Sequence, residues 1–230
     1  MANTYSIQYR FPEGAVYYYE ISTNGGVRMA TAAGSVGSAF TQHMVCRCRI
    51  VEGNSERGTI EITVTPFKSK ADVPADFTNL KGEVFIMGMD KFGRIIWPEK
   101  GPVWESAEQI FLSFPEYPIE IGDSWFLPRR DLHMREEKLY TKVRLNGRDR
   151  QNEDCVILAF ETSIGEPAMD GSTDIGFGTV TFNCKESWVR DVQYNSKYQE
   201  NILVPELKGR ALPGRVMMNV DIMRLFLEQA

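Results

Sequence analysis

The chain has 230 residues, is 43% hydrophobic and 25% charged, and carries a formal net charge of −5. That balance is globular, not disordered, and the length suits one large all-β domain or two small ones. The acidic surplus argues against nucleic acid or an anionic membrane surface as main partner, and no run nears the ~18 apolar residues of a transmembrane helix.

The opening stretch, Met1 to Arg10, has no basic segment followed by an apolar run, so it does not read as a secretory signal. Four cysteines without such a signal suit reduced thiols, and the expected compartment is the cytoplasm. Tyr5, Ile7, Tyr9 and Phe11 alternate with Ser6, Gln8 and Arg10, the period of a half-buried strand. After Gly14, the segment Ala15 to Ile21 is a tyrosine-rich strand with aromatics on both faces. Asn24-Gly25-Gly26 carries the residues of a tight hairpin turn.

Val27 to Phe40 is small and glycine-relieved. A phosphate-cradling loop and a bent strand both use such glycines, but no Lys-Ser/Thr follows and no helix opens, so the bent strand is preferred. Gln42 to Val51 resumes as a strand with Met44, Cys46, Cys48 and Ile50 on one face. Gly53-Asn54 turns the chain into Thr59 to Phe67. Gly82 opens Glu83 to Met89, Asp90 to Gly93 forms a tight hairpin, and Arg94 to Trp97 returns. A short helix is predicted between Val103 and Leu112, ending before Pro115.

Mid-chain, Pro115 and Pro118 exclude both a regular helix and a central strand. Gly122-Asp123 then turns into a strand from Ser124 to Leu127, with the Asp123 side chain capping backbone N–H groups. Features then recur in order. Gly14 matches Gly122, Gly53 matches Gly147, Ile60-Ile62-Val64 matches Val156-Leu158-Phe160, and Asp90 matches Asn183. An internal duplication (1–105 and 114–230, around a hinge at 103–118) and a plain meander with regular turns both give this order. Thr179 to Tyr198 reads as a hairpin, and Arg215 to Leu227 alternates as a final strand.

The predicted fold is therefore mostly β. It is a single domain over 1–230 built on a large curved antiparallel sheet or open half-barrel, with one or two short helices. Three features carry a resemblance: the strand after Phe11-Pro12-Glu13-Gly14, the Gly82 and Gly178 strands ending at Asp90 and Asn183, and Phe114-Pro115 through Gly122-Asp123-Ser124-Trp125. In them the chain resembles bacterial β-rich proteins of unknown function built on a lipoprotein-carrier-like half-barrel. The resemblance implies that fold and an apolar pocket, and it carries over no catalytic residue.

Reactive constellations are sparse. Cys46-Arg47-Cys48 lacks the four ligands of a zinc site and reads as buried small hydrophobes. His43 and His133 are the two histidines; His133 lies in a charge-rich stretch, and no Gly-x-Ser-x-Gly elbow exists. Glu116, Glu120 and Asp123 cluster in a proline-rich turn that displays acids to water. No catalytic residue, metal ligand or cofactor is assigned.

The aromatic and methionine content remains. Tyr17, Tyr19, Phe85, Met87, Trp97, Trp125 and Trp188 are the candidate ligand-lining residues, and ten methionines suit an adaptable apolar surface. The expectation is a non-enzymatic protein holding an apolar or amphiphilic small molecule in the hollow of the sheet. The alternative is an interaction module whose exposed aromatic face meets a protein partner or a second copy.

Overall fold

Alternating apolar and polar residues hold this chain extended for most of its length, and neighbouring extended segments pair because short turns join them. The computed structural model describes residues 4–31, 34–72, 81–98, 102, 107–129, 139–164, 174–204 and 210–228. In chain order the first half contains β1 (Thr4–Tyr5), β2 (Val16–Thr31), β3 (Gly34–Gly53), β4 (Arg57–Phe67), β5 (Glu83–Asp90), β6 (Ile95–Ile96) and the single-turn helix α1 (Ala107–Ile110). The second half contains β7 (Ile119–Glu120), β8 (Ser124–Arg129), β9 (Leu139–Arg148), β10 (Cys155–Ile164), β11 (Asp174–Asn183), β12 (Trp188–Val204) and β13 (Arg210–Glu228).

Eleven strands form one antiparallel sheet in the order β6-β5-β4-β3-β2-β13-β12-β11-β10-β9-β8, and β1 pairs with β7 separately. Two meanders thus meet at the β13–β2 seam, and among the described residues β6 and β8 are left as unpaired outer edges. The result is a curved, open half-barrel, mostly β as the alternation predicts.

Turn chemistry fixes the ends. Asn54 Oδ1 accepts the N–H groups of Glu56 and Arg57, Asp90 Oδ1 those of Phe92 and Arg94, and Asn183 Oδ1 those of Lys185 and Glu186. Asp123 Oδ2 accepts the Glu120 N–H at 2.8 Å, the predicted cap. Short polar side chains replace the backbone partners that a chain reversal removes.

One turn reading is corrected. Gly25 and Gly26 lie inside β2, paired with Phe40 and Ala39 of β3, and the chain does not reverse there. The glycine is needed for a close approach. A Cβ on Gly25 would sit 2.5 Å from the tip of the Phe40 ring and 2.8 Å from the Met217 carbonyl oxygen. The tip of the ring reaches over Gly25 because no side chain projects there.

The core lies on one face of the sheet, called the inner face. Two segments pack into it as a plug: the N-terminal residues Ile7, Tyr9 and Phe11, and Ala107, Ile110, Phe111, Leu112 and Phe114 around α1. Backbone bonds pin the plug to the sheet. The Tyr9 N–H donates to the Lys91 carbonyl at 2.8 Å, and the Phe114 N–H to the Phe92 carbonyl at 2.7 Å. Within the plug, the Tyr9 hydroxyl donates to the Leu112 carbonyl at 3.1 Å. Around Tyr9 stand Phe114, Phe182 and Trp188 at 5.4, 5.3 and 5.5 Å between ring centroids, and each such pair adds about 0.5–1.5 kcal/mol beyond area burial.

Candidate functional site

Strand length decides what the plug leaves open. β2, β3, β12 and β13 run 16, 20, 17 and 19 residues, against 11 for β4 and 10 for β11. β4 pairs with β3 only from His43 onward, and β11 pairs with β12 only as far as Ser196. Beyond those points the four long strands continue together, away from the plugged end.

Strand alternation carries the inner face onto this extension. The parity of Tyr17, Tyr19 and Ile21 continues through Thr23 and Gly25 to Val27 and Met29 on β2. Register then places Val36, Ser38 and Phe40 of β3 beside them, and Val216 and Met218 of β13 on the other side. Val36 is 55% and Phe40 37% exposed; Val27, Met29, Met44 and Met218 are half-buried. The opposite face of the same strands presents Asn24, Arg28, Asn195, Lys197, Asn219 and Asp221, with Met217 and, nearer the core, Met223 as exposed apolar residues among them. An apolar inner shelf therefore runs out from the core on a sheet whose outer side is polar.

The predicted ligand-lining residues do come together, but at the plugged end. Tyr17, Tyr19, Met87 and Trp188 are 0–1% exposed, Phe85 and Trp125 are 7 and 8%, and Trp97 packs against the same cluster half-buried. Trp188 stacks on Tyr17 with centroids 4.4 Å apart and planes 10° from parallel. The Trp125 indole N–H donates to the Ser113 carbonyl at 3.0 Å. Side chains of the protein itself thus pack against these residues, while Trp97 stays half-buried and Tyr17 also lines a concavity at the turn end.

The electrostatics of that end favour neutral groups. Burial pushes the Tyr17 phenol up to about 12, with Arg224 opposing the shift. Tyr9, Tyr19 and the Cys46 thiol are likewise raised, chiefly by burial. Cys46 and Cys48 lie with their Sγ atoms 3.5 Å apart, both buried. Arg224 Nη1 meets Glu186 Oε2 at 2.5 Å near the inner wall. The Tyr9, Tyr17, Tyr19 and Cys46 groups, raised in this way, stay protonated near neutral pH. Among the described residues, no three His, Cys, Asp or Glu side chains gather to hold a metal. Glu116, Glu120 and Asp123 are exposed, and Glu116 pairs with Arg94. His133 lies outside the described residues.

A second concavity of about 1050 Å³ follows the N-terminal segment at the turn end, where Tyr9, Phe11 and the predicted Tyr17 line it together with charged and amide groups such as Glu13, Asn54, Asn152 and Lys185. Its lining mixes apolar rings with charges and amides and so does not match a purely apolar ligand. The shelf does, and its residues Val27, Met29, Val36 and Phe40 were not singled out from sequence. Their signal was the strand parity itself, had it been continued through Gly25-Gly26 without a turn.

Fold and site together define the class: an open antiparallel half-barrel, plugged at one end and apolar on its inner face at the other. No protein-family profile matches the chain, and no curated protein matches it. Lipovitellin has a similar fold, with TM-score 0.52 at 11% identity over 96% of this chain. This chain spans only 26% of that one. The resemblance read from the sequence is thereby met as an open, β-rich fold. DynF of the dynemicin pathway of Micromonospora chersina gives TM-score 0.29 at 9% identity, covering 96% of this chain and 85% of its own. A Vibrio parahaemolyticus domain described as outer-membrane lipoprotein-sorting gives 0.20 at 10% identity, covering 91 and 84%. Likenesses that slight say nothing further about the fold. Among the described residues, no helix is long and apolar enough to cross a membrane.

Proposed function

We propose that this protein is a non-enzymatic binder of an apolar or amphiphilic small molecule, held against the inner face of the four long strands. The observation that carries the reading is the shelf: Val27, Met29, Val36, Phe40 and Met218 continue the core's own face past the plug and stay accessible. An accessible apolar strip lined by methionine and phenylalanine favours ligands with flexible hydrocarbon, because Met and Phe supply contact without fixed polar partners. The lipovitellin structure of similar fold concerns lipid–protein interactions, which supports a lipid-like ligand here. In this reading Tyr17, Tyr19, Phe85, Met87, Trp97, Trp125 and Trp188 form the closed back wall, and the shelf makes the contact.

Micromolar affinity corresponds to about 8 kcal/mol, so at about 25 cal/mol per Å² a long hydrocarbon chain must bury more than about 330 Å² of apolar surface, with association costs added to that requirement. The test is titration of the purified chain with a fluorescent fatty-acid analogue. Saturable signal, displaced by unlabelled fatty acid and weakened at least tenfold by Phe40→Asp, is expected. Absence of displaceable binding would end the proposal.

A further inference from the structure

Where the extension outruns its neighbours, it exposes strand edges as well as a face. Ser35 to Gln42 of β3 pairs with β2 on one side and with no described strand on the other, because β4 joins only at His43. Every residue from Ser35 to Gln42 is exposed. A free edge of that length is a row of unpaired N–H and C=O groups, which proteins normally protect with proline, charge or brevity.

The other free edges of the sheet are protected in these ways. β6 is two residues long and is followed by Pro98. β8 contains Pro128 and ends in Arg129. The free part of β12 carries Lys197 and Glu200, and the uncovered start of β5 opens on Glu83. By contrast, Met29 to Cys46 contains no Asp, Glu, Lys, Arg or Pro across 18 residues. An unprotected edge on a sheet that protects its others is an edge meant to be paired.

We infer that the β3 edge from Ser35 to Gln42 pairs antiparallel with the same edge of a second copy of this chain, around a two-fold axis at Ser38. Self-pairing suits an uncharged edge, since a dyad brings the same short segment of the two copies together and any net charge on it would face its like. With Ser38 opposite Ser38, Val36 of each copy falls opposite Phe40 of the other, an aromatic–β-branched pair on the inner face. Small residues, Ser35, Gly37, Ala39 and Thr41, meet on the outer face. The two inner shelves then become one continuous surface. The pairing rests on backbone edge geometry and charge pattern, so it stands whether or not the shelf binds a ligand.

Sedimentation equilibrium on the full chain, from micromolar to sub-millimolar concentration, tests the inference. The expected mass rises toward twice the 26.2 kDa of one chain, while Ser38→Lys remains single with an unchanged circular dichroism spectrum. In a Cys184→Ser background, Ser38→Cys is expected to oxidise to a linked dimer and Lys197→Cys is not, so the pairing is read even if Ser38→Lys folds poorly. A wild-type chain that stays single at every concentration would overturn it. So would a dimer that Ser38→Lys leaves intact, or a single chain that instead floats with phosphatidylcholine vesicles through this hairpin.

Discussion

Replacing Gly93 by alanine tests how the plug is seated. Gly93 sits in the β5–β6 turn at φ +82°, and a Cβ there would lie 2.3 Å from the Leu112 carbonyl oxygen and 2.7 Å from the Tyr9 ring. Relief requires Leu112 to move by about 1 Å, since carbon and oxygen repel strongly inside ~3.2 Å. That motion breaks the bond from the Tyr9 hydroxyl to the Leu112 carbonyl, and strains the one from the Ser113 hydroxyl to the Gly93 carbonyl. Backbone strain of about 1–2 kcal/mol plus two bonds at about 1 kcal/mol each gives a loss of about 3–4 kcal/mol. Gly122→Ala is the control. Its φ is +100°, but the nearest atom to an added Cβ is the Arg144 guanidinium at 3.9 Å, so it should cost only the strain. Urea unfolding followed by tryptophan fluorescence compares the two midpoints at equal slope. If Gly93→Ala proves no more destabilising than Gly122→Ala, the plug is not seated as described.

Three further outcomes follow from the packing. Tyr9→Phe leaves the buried Leu112 carbonyl without its donor and should cost about 1–2 kcal/mol in the same assay; a neutral result would mean that the bond is absent in solution. The raised Tyr9, Tyr17, Tyr19 and Cys46 groups stay protonated when folded and ionise at about 8.5–10 once unfolded. The unfolded chain therefore loses protons first, so the stability these groups leave intact at neutral pH should fall as pH rises above about 9. Urea midpoints measured from neutral to strongly alkaline pH check this, and a flat profile would contradict it. Cys184 alone among the four cysteines is exposed, while its thiol is shielded from water enough for desolvation to push its pKa up to about 11; Ellman's reagent should titrate one thiol slowly in the native protein and all four after denaturation.

Strand parity was legible wherever one face is buried along a whole element. Ile60, Ile62 and Val64 point inward as their alternation requires, and so do Cys46, Cys48 and Ile50. The alternation of Ile7, Tyr9 and Phe11 also gave the correct buried set. It could not show that this segment lies across the inner face as part of a plug, with only Thr4–Tyr5 in a ladder, because parity carries no information on partners. The helix was read over Val103 to Leu112, and its described part is the single turn Ala107–Ile110.

The shelf was missed for a specific reason. Asn24-Gly25-Gly26 has strong local turn chemistry, but long-range register with β3 and β13 overrides it, and the glycine serves the Phe40 ring instead. Reading a reversal there cut the strand just before the residues that become accessible. The aromatics chosen from sequence lie in or against the buried core at the closed end, where Tyr17 and Trp188 stack on each other and Tyr19 and Trp125 donate to carbonyls. An internal duplication remains a proposal; Asp90 and Asn183, matched by sequence, do cap the ends of β5 and β11 in the same manner.

Photo-cross-linking with a diazirine-bearing fatty acid, mapped by peptide mass spectrometry, asks most directly where an apolar ligand lies. Labels on Val27, Met29, Val36, Phe40 and Met218, competed away by unlabelled fatty acid, are the predicted result. Labelling confined to the Asn54–Asn152 groove, or labelling that competitor leaves unchanged, would contradict the account.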